Sequence, residues 1–147
     1  MTTDESGTLA ELAIREADNG NTLIALVHLE KVLKERKSPL LTSYFAYCLA
    51  SERKEFGRAL ALCKDAIEGA LPVPILYLNL GRIFLAAGHK RQALNAFRRG
   101  LKFGNHPLIT AEIKQLGLRK KPVIPLLPRN NLCNKYLGIL LNRLALR

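Results

Sequence analysis

Tyr77-Leu78-Asn79-Leu80-Gly81-Arg82-Ile83-Phe84, followed by Gly88, Ala93, Phe97, Gly100 and Pro107, lays out two helices and the turn between them. Tyr77, Leu80, Gly81 and Phe84 fall at helical spacing on one face, and Ala93, Phe97 and Gly100 do the same in the next segment. Gly88 can take the left-handed conformation that closes a helix, and Pro107 cannot continue one. The small residues let two helix axes approach, and the large ones fill the space between them. A step of 34 residues toward the N-terminus from Ala93 reaches Ala59 and then Ala25. The same step joins Leu94, Leu60 and Leu26, then Leu101, Ile67 and Leu33, and in a looser form Gly88, Lys54 and Gly20. A period of that length marks stacked two-helix units, each burying its apolar face on the next.

The pattern predicts three helical hairpins. Thr8 and Glu11 read as a capping box ahead of a first helix over 9–18, with residues 1–7 disordered, and Asn19-Gly20 turns the chain into a second helix over 22–36. Pro39 opens the next pair, 40–51 and 55–68, and Pro72 and Pro74 punctuate the entry to the third, 74–87 and 90–102. In the second unit two registers remain open. Phe45-Ala46 fill the slots of Leu80-Gly81 with one residue inserted before Phe56, or Ala46-Tyr47 fill them with none. A seventh helix over 107–116 would cap the last hairpin. Beyond it Pro122, Pro125 and Pro128 favour an extended path, and an amphipathic helix begins near Asn131.

These residues resemble the tetratricopeptide repeat, most closely in the third unit and more loosely in the first two. The resemblance implies an all-α, right-handed α-solenoid of three hairpins (8–38, 39–72 and 73–106), with a C-terminal capping helix and a basic tail over 117–147. It also implies a concave groove lined by the first helix of each pair. Carried over by repeat position, the groove residues are Ile14, Tyr44, Cys48, Leu78, Asn79, Arg82 and Leu85. Asn79 would hold a ligand's backbone amide and Arg82 a carboxylate. Ala10 and Ile14 stand where chaperone-binding members carry Lys and Asn, so the pattern that grips acidic C-termini is missing.

Charge is distributed unevenly along the 147 residues, whose formal net charge is +11. Residues 1–35 hold three basic side chains and seven acidic ones, whereas residues 70–147 hold fourteen basic ones against Glu112 alone. Arg98, Arg99, Lys102, Arg119, Lys120 and Lys121 form a basic patch that offers phosphate or another anionic surface a second way to bind. No transmembrane segment or secretory signal is visible, and Cys48, Cys63 and Cys133 lack disulfide or metal spacing, which places the chain in the cytoplasm. His28, His89 and His106 form no ligand or catalytic set, so neither an enzyme nor a cofactor is expected. The expected partner is an unidentified protein or peptide held in the groove. The chain's own Pro122–Pro128 segment, nucleic acid on the basic half and a second copy of the chain are the alternatives.

Overall fold

A computed structural model of the chain describes residues 3–117, and these are seven helices with no strand among them. They are α1 (Thr3–Asp18), α2 (Thr22–Glu35), α3 (Pro39–Arg53), α4 (Phe56–Glu68), α5 (Pro74–Ala86), α6 (Lys90–Leu101) and α7 (Pro107–Gly117). The Pro122–Pro128 segment, the helix expected from Asn131 and the cations Arg119, Lys120 and Lys121 lie outside the described residues.

Helices pair in sequence order, α1 with α2, α3 with α4 and α5 with α6, while α3 also packs on α1, α2 and α5. Ala25, Ala59 and Ala93 are each the fourth residue of the second helix of a hairpin, and all three are fully buried. Gly20, Lys54 and Gly88 all take left-handed backbone conformations, with φ of 86°, 57° and 80°. Lys54 is the sole non-glycine residue with positive φ among the described residues, so the turn geometry repeats even where the glycine does not. The axial spacing follows the small residues. A Cβ on Gly81 would sit 2.1 Å from Phe97 Cε1, and one on Gly100 would sit 2.9 Å from Ile109 Cδ1.

The core runs along the stack in three linked clusters. Ala10, Ala13 and Ala17 of α1 meet Leu26, Leu29 and Val32 of α2 and Leu49 of α3. Ala46, Ala50, Ala59, Cys63 and Ile83 fill the middle. Leu78, Ala93, Phe97 and Ile109 close the far end under α7. Each fully buried leucine contributes about 1.5–3 kcal/mol relative to an exposed one.

One expectation changes, and one open choice is resolved. Helix α1 begins at Thr3, so residues 3–7 are helical rather than a disordered lead, and Thr8 is not a cap. The Thr8 hydroxyl donates to the Glu5 carbonyl at 3.0 Å inside the helix. Buried Ser6 extends the stripe of Ala10, Ala13 and Ala17 by one turn, which gives the added residues a face to pack. In the second hairpin the inserted register is the one adopted. Pro39 and Pro74 open α3 and α5 35 residues apart, whereas Lys54 and Gly88 stand 34 apart, so α3 carries the extra residue. Ala46 then takes the close-approach slot of Gly81, fully buried beside Cys63.

Candidate functional site

In the adopted register Ile14, Tyr47 and Arg82 occupy the same position on α1, α3 and α5, the first helix of each hairpin. Arg82 is the charged member of this row, with its side chain only 7% exposed. Its Nη1 donates to Asp18 Oδ1 at 2.7 Å, and its Nε reaches Glu112 Oε1 at 3.5 Å. The guanidinium also lies over the Tyr47 ring, 5.1 Å from its centroid. Asp18 accepts a second hydrogen bond, 3.0 Å long, from the Tyr44 hydroxyl. One arginine therefore ties α1 to α7, and α3 supplies the Tyr47 ring against the guanidinium and the Tyr44 hydroxyl on Asp18. Charge-assisted bonds of this kind are shorter and stronger than neutral ones.

Burial works against the charged form of Arg82, but the hydrogen bond and charge of Asp18, with smaller contributions from Tyr47 and Glu112, raise its pKa on balance. The guanidinium is thus committed to its two carboxylates. Burial, followed by the charge and hydrogen bond of Asp18, pushes the Tyr44 hydroxyl well above its ordinary 10.0, and burial raises Tyr47 as well. Burial pushes the Cys48 thiol up to about 12, with Glu52 adding to it, and burial alone does the same to Cys63. Both thiols are protonated and inert at neutral pH.

Asn79 sits one turn before Arg82 on α5 and is fully buried. Its Nδ2 donates to Ser43 Oγ at 3.0 Å, and that hydroxyl in turn donates to the Leu40 carbonyl at 2.7 Å. The direction of this relay fixes which end of the amide is which. It leaves Asn79 Oδ1 as a buried acceptor with no hydrogen-bond partner among the described residues.

The expected groove residues separate into three groups. Tyr44, Asn79 and Arg82 form the polar cluster. Ile14 and Leu85 are half-buried at its edges, packed on the first and third core clusters. Leu78 and Cys48 are corrections: both are fully buried core residues and neither forms an open wall. Leu78 packs with Phe97 and Ile109 because α7 covers it, and Cys48 belongs to the α1–α3 core because the inserted residue rotates it away from the row. Arg98, Arg99 and Lys102 are exposed, at the C-terminal end of α6 and on its C-cap. Four residues of the cluster were not among those expected: Asp18, Ser43, Tyr47 and Glu112. Asp18 follows Ile14 by one helical turn, and Glu112 is the lone carboxylate of the basic half, so both carried a signal. Among the described residues no group of three His, Cys, Asp or Glu side chains could hold a metal ion, and no helix is long and apolar enough to cross a membrane.

No family model matches the chain, and no curated protein does. Among solved structures it is similar to the first TPR of Spaghetti (RPAP3) bound to HSP90 peptide SRMEEVD, with a TM-score of 0.55 and 18% identity over 80% of this chain and 94% of that one. The chain has the tetratricopeptide-repeat fold.

Proposed function

We propose that the concave face docks an extended protein segment and that the chain serves as a protein-interaction module, a scaffold or assembly adaptor with no catalytic role. The observation that carries this reading is the Asn79 amide. Its Oδ1 is buried without a donor, and an orphaned buried acceptor costs about 1–3 kcal/mol. Asn79 is fully buried, so a ligand reaches it only after the side chains over it part; a backbone N–H of the ligand then satisfies Oδ1, and the second N–H of the same amide can bond the ligand's carbonyl. The peptide carried by the structural neighbour supports the general mode. The end of that peptide is acidic, however, and here Arg82 already holds two carboxylates of its own. The groove therefore takes its ligand by backbone and apolar contact rather than by a terminal carboxylate. Free Cys48 and Cys63 suit a reducing compartment such as the cytoplasm.

Panning a random heptapeptide library on the immobilised full chain tests this. Recovered peptides should bind Asn79→Ala and Tyr47→Ala at least tenfold more weakly than the parent by fluorescence anisotropy. A library that fails to enrich, or peptides that bind Asn79→Ala as tightly as the parent, would refute it.

A further inference from the structure

Away from the groove, α6 presents Lys90, Arg91, Arg98 and Arg99, with Lys102 at its C-cap, all exposed. The helix contains no acidic residue, and among the described residues none of these five cations pairs with a carboxylate. The buried face is Ala93, Ala96, Phe97 and Gly100, so the charge stands wholly on the outer side.

The end of this helix meets a second feature. A Cβ on Gly100 would lie 3.2 Å from the Pro74 carbonyl oxygen, and one on Gly104 would lie 3.4 Å from Pro74 Cγ. The loop ahead of α5 is thereby set against the turn that follows α6. That loop carries Leu71, 84% exposed, and Val73, and the turn carries Phe103, 42% exposed. Pro72 and Pro74 stiffen the loop, so little conformational entropy is lost when it is immobilised. Phe103 is supported from beneath by the Tyr77 ring, with centroids 5.2 Å apart and planes 20° from parallel, and Arg99 lies over the same Tyr77 at 5.7 Å. Three apolar side chains thus project from one corner of the molecule, bordered by unpaired cations. Asp65 and Glu68, exposed at the end of α4, are the acids nearest the loop in sequence, and the five cations of α6 and its C-cap outnumber them.

We propose that this corner is a docking surface for an anionic membrane leaflet: the α6 cations meet the lipid headgroups while Leu71, Val73 and Phe103 enter the interfacial layer. The two components of peripheral attachment, basic charge and buried apolar area, are both present and adjacent. Single-stranded nucleic acid would use the same charge, but it is held by stacking on exposed rings. Among the described residues Phe103 is the one exposed ring at this corner, and Leu71 and Val73 offer nothing to a base.

Co-sedimentation of the full chain with vesicles at 0.1 M salt tests this, using phosphatidylcholine alone and phosphatidylcholine/phosphatidylserine at 7:3. Binding should appear with the anionic vesicles and fall as salt is raised. Leu71→Ser, in an open loop, should weaken it about tenfold by removing one inserted side chain. Arg91→Ala/Arg98→Ala/Lys102→Ala should weaken it by about 100-fold, each cation contributing about fivefold. None of these four residues packs in the core, so loss of binding with an unchanged circular dichroism spectrum reports the surface. Absence of binding to the anionic vesicles, or binding that survives the triple substitution, overturns the proposal. So does tight, Leu71-independent binding of a 20-mer oligothymidylate in place of the vesicles, which would assign the charge to nucleic acid.

Discussion

Replacing Arg82 by Met keeps the aliphatic stem in place and removes the guanidinium. Three contacts disappear together: the 2.7 Å bond to Asp18, the 3.5 Å contact to Glu112 and the stacking on Tyr47. Breaking a fully buried pair from one side costs about 3–5 kcal/mol, because a charge is left without compensation. Asp18 and Glu112 keep 25% and 23% of their side-chain surface in contact with water, which returns part of that loss, and an exposed pair contributes only about 0–1 kcal/mol. The net effect should be a destabilisation of about 2 kcal/mol, seen as a drop of about 1 M in the urea midpoint with little change in slope. The cause can be separated from the size. Adding Asp18→Asn and Glu112→Gln to Arg82→Met removes the stranded charges, while the amide oxygen introduced by Asp18→Asn still accepts from Tyr44, so most of the loss should return. The reasoning fails if Arg82→Met lies within about 0.5 kcal/mol of the parent, or if the triple variant is no more stable than the single one.

Gly81→Ala gains about 1 kcal/mol of helix propensity, but its methyl would sit 2.1 Å from the buried Phe97 ring. It should destabilise by about 2 kcal/mol net, and Phe97→Leu in the same chain should relieve part of that; an unchanged Tm in the single variant would count against the packing. At the repeated turn, Lys54→Gly removes left-handed strain at φ 57° and should stabilise by about 0.5–1 kcal/mol. Gly20→Ala and Gly88→Ala, which meet nothing within 4 Å, should each cost about 1 kcal/mol through the backbone alone; equal midpoints for all three would contradict the shared turn. Burial raises Cys48 and Cys63 from 9.0 to about 12 and moves Tyr44 upward as well. The folded chain therefore keeps protons that the unfolded chain releases, so stability is complete below about pH 9 and declines as pH rises toward 12; a flat urea midpoint from pH 8 to 11 in a Cys133→Ser background would exclude this. Asn79→Leu removes an unsatisfied buried acceptor and should leave stability unchanged or higher while abolishing peptide capture, and a variant that still captures peptide would remove Asn79 from the site.

The helices were legible because their constraints are local or periodic. Ala25, Ala59 and Ala93 mark one repeated close approach, and Gly20, Lys54 and Gly88 mark one repeated turn. Where a constraint was neither, the reading slipped. Thr8 and Glu11 form a sound capping box in isolation, but Ser6 had one more turn of core to cover, and packing outweighed the cap. In α3 two alanine-containing pairs could fill one slot, and the 35-residue step from Pro39 to Pro74, with the burial of Ala46 beside Cys63, selects between them. That single residue of register carries Cys48 into the core and brings Tyr47 into the row of Ile14 and Arg82.

The chemistry of the groove was harder to read, and the reason is physical. A repeat fixes where a side chain stands, whereas the polarity of a groove depends on which charges meet there. Asp18 and Arg82 are 64 residues apart and belong to the first and third hairpins, so their 2.7 Å bond is a tertiary contact that no local or periodic pattern announces. By position alone Arg82 is a hook for a carboxylate. With Asp18 on one side and Glu112 on the other it becomes a structural tie, and a ligand carboxylate would have to displace one of them. Asn79 moves in the opposite direction: its bond to Ser43 looks purely structural, yet that bond orients the amide and leaves its acceptor open. The polar cluster is thus built from residues that do not repeat, set at positions that do.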